Sequence, residues 1–166
     1  FRNSLLNQGF DVEEVNLNSP IPKDINILVI AEMRSELLPT QKTNLDQYIA
    51  RGGNLMILSE PKRKEYMDPL LAEFGVKLVP GQLVSISEDH APDLVVVKPT
   101  KEGQELIYHF DQMAKLEYVV VNPGVSGLEF NPEKGYKAIP LFVTDSLVWN
   151  EMQTTDFVDD TARLNP

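Results

Sequence analysis

Ser59 and Glu60 close the stretch IARGGNLMILSEP, residues 49–61, in which a helix end, a turn and a short apolar run precede them. Both therefore stand at the carboxyl end of an expected strand, where open α/β sheets bind ligands and some hydrolases carry a nucleophile. A nucleophile elbow needs small residues on both sides of its serine to permit the strained turn. Here Ile57 is bulky, Pro61 replaces the second glycine, and neither His90 nor His109 sits in a partner motif. Ser59 thus reads as a loop or helix-entry residue.

The other residues capable of chemistry fare no better as a set. His90 lies in SEDHAPD with Glu88, Asp89 and Asp93, but the run lacks the i, i+4 spacing that aims two ligands from one helix face. A solvated acidic loop is the simpler reading. His109, among the apolar neighbours of LIYHFDQM, reads as a packed residue. NPGVSG, residues 122–127, has neither G-x-G-x-x-G nor the G-K-[ST] of a phosphate loop and reads as a turn. Asp145, Ser146 and Trp149 in VTDSLVWNE offer an indole beside an acid and a hydroxyl, the makings of a binding rim, although a tryptophan beside a strand end more often packs in a core. No base, nucleophile and oxyanion donor assemble from these motifs, and none of them calls for a cofactor or a metal.

Composition narrows the classes further. Fifteen Lys and Arg against 25 Asp and Glu give a net charge of −10, which opposes binding to nucleic acid or to an anionic membrane surface. The densest basic group, Lys62, Arg63 and Lys64, is flanked by Glu60 and Glu65 and reads as a solvated loop. With no cysteine there is no disulfide, thiolate metal site or thiol nucleophile. The longest apolar runs, such as Ile27 to Ala31, fall far short of the roughly 18 residues that span a bilayer. The chain opens on Phe1 without a basic-then-apolar leader, as expected of an excised piece or a processed chain.

A unit that recurs three times would position the candidate residues: a helix end, a glycine, then a β-branched run, in LLNQGFDVEEVNL, YIARGGNLMIL and LLAEFGVKLV. Gly9, Gly52 and Gly75 fall where a helix C-terminus takes a left-handed residue. The middle helix is expected to start with Thr40 as N-cap and to turn Leu45, Tyr48 and Ile49 inward. The third is expected to start with Asp68 as N-cap and Pro69 at its first position, with Leu70, Leu71 and Phe74 inward. Strands are expected at Val12 to Leu17, Ile25 to Ala31, Asn54 to Leu58 and Val76 to Leu78, and later at VVVKP, EYVVVNPG and IPLFVT. Leu106, Phe110 and Met113 recur at helical spacing within 104–116. The tail, 152–166, reads as a loop or frayed end. Continuous apolar strands alternating with helices predict a single α/β domain over 1–166, with a doubly wound, mostly parallel sheet.

IPKDINILVIAEMRSELLPTQKTNLDQYIARGGNLMILSEP, residues 21–61, resembles the auxiliary extracytoplasmic component of ABC-2-type transport systems, the family of the gliding-motility-associated ABC transporter auxiliary proteins. The similar elements are the IP-D approach to LVIA, a helix ending YIARGG, and a strand closing on Glu60 and Pro61. The likeness continues through DPLLAEFGVKLVPGQLV, residues 68–84, and returns in IPLFVTDSLVWNE, residues 139–151. It departs at Glu32, Met33 and Arg34, where the family usually has a small residue and a proline.

The resemblance implies a flavodoxin-like or glutamine-amidotransferase-like three-layer domain. It also implies a place at the periplasmic face of the bacterial inner membrane, anchored by segments absent from this chain. The implied partners are the ABC transporter permease and other membrane components of the system, and the implied role is non-catalytic. Thiol chemistry of the amidotransferase kind is impossible without cysteine. Glu32, Ser59, Glu60, Asp145 and Trp149 are then the candidate ligand- or partner-contacting residues. Two rivals stay open. One is a carboxylate-dependent hydrolase, with two of Glu32, Glu60 and Asp145 about 5–10 Å apart in one cleft. The other is a small-molecule or sugar receptor, with Ser59 and Trp149 at its pocket.

Overall fold

The computed structural model describes residues 2–31, 33–87 and 89–152. Two compact units hold them, the first from residues 2–31 and 35–58, the second from residues 33–34 and 59–152.

In the first unit, helix α1 (Arg2–Asn7) ends at Gly9, whose φ is +84°. Strand β1 (Ile27–Ala31) runs parallel to β2 (Asn54–Leu58), in a register from Ile27 beside Asn54 to Ala31 beside Leu58. Helix α2 (Pro39–Ala50) connects them and begins one residue before Thr40. Proline suits a first helical position, so Leu38 rather than Thr40 is the N-cap, and its N–H donates to Gln41 Oε1 at 2.9 Å. Leu45 and Tyr48 are buried as expected, with Asn44 beside them and Ile49 half-buried. The helix closes as a Schellman motif: the Gly53 N–H donates to the Tyr48 carbonyl at 3.0 Å and the Gly52 N–H to that of Ile49 at 2.9 Å, with Gly52 at φ +87°.

Residues 12–17 form no strand. Val12, Val15 and Leu17 are half-buried, a spacing that does not alternate. The Leu17 carbonyl accepts Asn44 Nδ2 at 2.8 Å, and the chain turns at once through Asn16 to Ser19. Arg51 holds the return, donating to the carbonyls of Ile21 and Pro22 while its guanidinium lies 5.1 Å from the centre of the Tyr48 ring.

The second unit starts with a 3₁₀ turn at Pro61–Arg63 that runs directly into helix α3 (Lys64–Glu73). The helix thus starts well before Asp68, and Pro69 lies inside it. Pro61 takes the helix-initiating position instead. Asp68 is used elsewhere: its carboxylate accepts the Leu78 N–H at 3.3 Å and pairs with the Lys64 ammonium, which also donates to the Leu78 carbonyl at 2.7 Å. Lys64 is therefore a tie between α3 and the next strand, not part of a solvated loop. Met67, Leu70 and Leu71 are buried, and Phe74 is half-buried, its ring 5.5 Å from that of Tyr136.

The remaining strands pair antiparallel. They are β3 (Val76–Leu78) with β7 (Leu128–Phe130), β4 (Gln82–Ser85) with β9 (Val148–Glu151), and β5 (Leu94–Pro99) between β6 (Val120–Pro123) and β8 (Phe142–Thr144). The expected parallel sheet is thus limited, among the described residues, to β1 and β2, within a mixed α and β composition of small sheets. Burial along β5 alternates, Val95 and Val97 inward with Val96 between them partly exposed. That is the habit of an antiparallel strand, which an all-valine run conceals.

The helix expected over 104–116 is two. Helix α4 (Lys101–Leu106) is capped by Thr100, whose Oγ1 accepts the Gly103 N–H at 2.9 Å and donates to the Pro140 carbonyl at 2.5 Å. Ile107 is extended, with φ −127° and ψ 110°, and α5 (Tyr108–Lys115) follows. His109, expected to be packed, is exposed on α5 with its ring edge-on to Tyr108. No described helix is long and apolar enough to cross a membrane.

Candidate functional site

The structure distributes the candidate residues over different settings. Ser59 and Glu60 are exposed between β2 and the 3₁₀ turn at Pro61, in the helix-entry position that their flanks suggest. Asp145 is exposed in the turn from β8 to β9, and its Oδ1 accepts the Leu147 N–H at 2.8 Å, so the carboxylate shapes that turn. Trp149 lies half-buried on β9 beside Val84 of β4. Its Nε1 and the neighbouring Asn150 Oδ1 are buried without a hydrogen-bond partner among the described residues. Glu32, Glu88 and residues 153–166 lie outside the described residues. His90 Nδ1 sits 3.1 Å from the Ala91 carbonyl, and among the described residues no group of His, Asp and Glu forms a metal set. NPGVSG is the end of β6 and the turn after it, with Gly124 at φ +63° and Ser126 Oγ donating to the Gly81 carbonyl at 2.8 Å.

Three surface features have more content than these positions. The first is the outer face of the β1–β2 pair. Register partners in a parallel pair share a side, so Ile27, Val29 and Ala31 lie with Asn54, Met56 and Leu58, and all six are exposed. The large apolar side chains among them expose between 37% and 53% of their surface. Leu28 and Ile30, on the other side, are buried. Parallel strands normally have both faces covered, and here one is bare.

The second is a hollow of about 410 Å³ in the first unit, lined by Lys23, Ile25, Asn26, Arg51 and Gly52 to Asn54. Its polar groups are largely occupied in holding the backbone, Arg51 on Ile21 and Pro22, Asn54 Nδ2 on the Asn26 carbonyl, and Asn26 Nδ2 on that of Asp24.

The third is a cavity of about 530 Å³ in the second unit, between the end of β5, α4, and the chain leaving α5, lined by Lys98, Pro99, Gln104, Ala114, Glu117, Tyr118 and Val119. Glu117 is the one non-glycine residue with a positive φ, +56°, among the described residues. None of the candidates from the motif search lines either cavity. Sequence reasoning missed Glu117 and Tyr118 because the mark of a left-handed helix stop is glycine, and here a glutamate fills that place.

The family model described as an ABC-type uncharacterized transport system matches residues 1–162. The chain belongs to this family. It is accordingly an auxiliary component of an ABC transport system, which agrees with the order of elements in residues 21–61, 68–84 and 139–151. Comparison with curated proteins and with solved structures gives no match.

Proposed function

We propose that this chain is a non-catalytic, extracytoplasmic domain that joins an ABC-type transport system by docking on a membrane component, the permease foremost, through the outer face of β1–β2. The observation that carries this reading is the family match over residues 1–162, which makes association with a transport system the domain's context. The apolar strip of Ile27, Val29, Met56 and Leu58 supplies a surface suited to protein contact. A lipid surface is the poorer occupant, since the net charge of −10 repels anionic headgroups. The resemblance across residues 21–61 supports gliding motility as the process served. It also supports a periplasmic position, held by an anchor outside residues 1–166. A flavodoxin-like or amidotransferase-like reading has support in the first unit alone, where β1–α2–β2 is the repeating element of such sheets.

Deleting the domain from its parent system should abolish or sharply reduce transport while leaving hydrolytic activities unchanged, and undiminished transport would count against the reading. A photo-crosslinker at Val29 should trap a membrane component of the system. Crosslinking from Leu128, exposed on β7 of the second unit, with none from Val29 would move the docking face elsewhere. The pair Val29→Glu and Met56→Glu should cut association at least tenfold. Because both side chains are exposed, each change should alter unfolding free energy by no more than about 0.5 kcal/mol, as surface positions do.

A further inference from the structure

We infer that the cavity between β5, α4 and the end of α5 is a binding site for a neutral saccharide of one or two rings. It lies wholly in the second unit and does not depend on the docking reading.

Backbone geometry is the first ground. Helix α5 ends with the Tyr118 N–H donating to the Met113 carbonyl at 2.8 Å and the Glu117 N–H to that of Ala114 at 3.2 Å, which places Glu117 in the left-handed conformation. At Gly9, Gly52, Gly75, Gly81, Gly124 and Gly135 the same sign of φ is met by glycine. Glycine adopts it freely, whereas a residue with a Cβ is strained. A strained residue that the fold could replace with a cheaper one points to a use for its side chain, and Glu117 is among the residues that line a cavity.

The chemistry of that wall is the second ground. Its volume, about 530 Å³, falls in the range of roughly 300–1,000 Å³ typical of small-molecule sites. Tyr118, a residue 61% exposed, carries a flat apolar ring with a hydroxyl at its rim. Neither the Lys98 ammonium nor the Glu117 carboxylate has a hydrogen bond or ion pair among the described residues. Gln104 Nε2 donates to the Pro99 carbonyl at 3.1 Å, which fixes the amide and leaves Oε1 as an acceptor. The wall therefore offers acceptors in Glu117 and Gln104, a cationic donor in Lys98, and a ring for stacking.

A sugar uses all four. Its hydroxyls donate to the carboxylate and amide oxygen and accept from the ammonium, and its C–H face lies on the tyrosine. A phosphate or dicarboxylate would meet one cation and be repelled by Glu117, and a cation would meet Lys98. An apolar ligand would strand both charges.

The test is a titration of the isotope-labelled chain with glucose, maltose, cellobiose and N-acetylglucosamine at millimolar concentration, with glycine and inorganic phosphate as the zwitterionic and anionic probes. At least one saccharide should give saturable amide shifts confined to residues 98–104 and 114–119. Tyr118→Ala should weaken that binding at least tenfold without lowering Tm, since the residue is exposed. Glu117→Gly should weaken it similarly while raising Tm by about 2–4 °C. That opposition, stability gained as binding is lost, is what a purely structural role would not produce. The inference is overturned if no saccharide shifts these amides, if glycine or phosphate shifts them in preference, if Tyr118→Ala binds as well as the parent, or if Glu117→Gly lowers Tm.

Discussion

Tyr48→Ala is expected to destabilise the first unit by about 3–5 kcal/mol, the range for truncating a buried aromatic residue. The ring is 1% exposed, its hydroxyl donates to the Asn54 carbonyl at 2.9 Å, and Arg51 lies over its face. Truncation therefore removes packing, a hydrogen bond to the first residue of β2, and the seat of the guanidinium that holds residues 21 and 22. The same ring explains Gly53: a Cβ there would stand 2.3 Å from Tyr48 Cε1. Gly53→Ala is accordingly expected to cost about 1–3 kcal/mol by overpacking. In a chain already carrying Tyr48→Ala most of that cost should vanish, since the atoms it would meet are gone. Urea unfolding followed through amide signals of residues 27–58 measures all four chains of the cycle. An equal cost for Gly53→Ala in both backgrounds would show that the ring is not what reserves the position for glycine.

The second large effect separates three glycines that look alike in the sequence. Gly75→Ala is expected to cost about 2–4 kcal/mol, because it adds a Cβ at φ +74° and sets that Cβ 2.3 Å from the Asn131 carbonyl oxygen, a backbone atom that cannot swing aside. The Asn131 N–H in turn donates to the Gly75 carbonyl at 2.7 Å, so a displacement disturbs the entry to β3 and its pairing with β7. At Gly9 and Gly52 a Cβ would meet nothing within 4 Å. Alanine there should cost only the backbone strain, about 1–2 kcal/mol. Thermal unfolding of the three single variants tests the order, and a Gly75→Ala chain no weaker than Gly52→Ala would refute the close approach.

These glycines also show where sequence reading succeeds. A left-handed helix stop has a local cause, so Gly9, Gly52 and Gly75 were legible, as were the limits of β2 and the inward positions Leu45, Tyr48, Leu70 and Leu71. Strand direction has no local cause: Val95 to Val97 satisfies the pattern of a parallel strand, while the burial that decides the matter alternates. Boundaries moved where a side chain found a better partner, Asp68 on Leu78 instead of a helix end, and Gln41 on Leu38 in place of a Thr40 cap. The cavity was illegible because its marker is a conformation. Nothing in KLEYVVV says that Glu117 turns left-handed, whereas strand ends such as Ser59 and Asp145 are marked by their place in an α/β pattern.

The pairing pattern sets an order of assembly. β1 and β2 are separated by residues 32–53, which include α2, whereas β4 and β9 are separated by residues 86–147, so the first pairing closes the shorter loop at the lower entropic cost. Among the described residues, β3, β4 and β5 pair only with strands that come later, and β4 at residues 82–85 waits for β9 at 148–151. A chain that emerges from its amino end, at a ribosome or a secretion pore, can therefore complete the first unit's strand pair while three strands of the second still have unmet edges. Amide protection should appear over residues 27–58 well before residues 82–85, and that interval is when the chain is most exposed to pairing with the wrong neighbour.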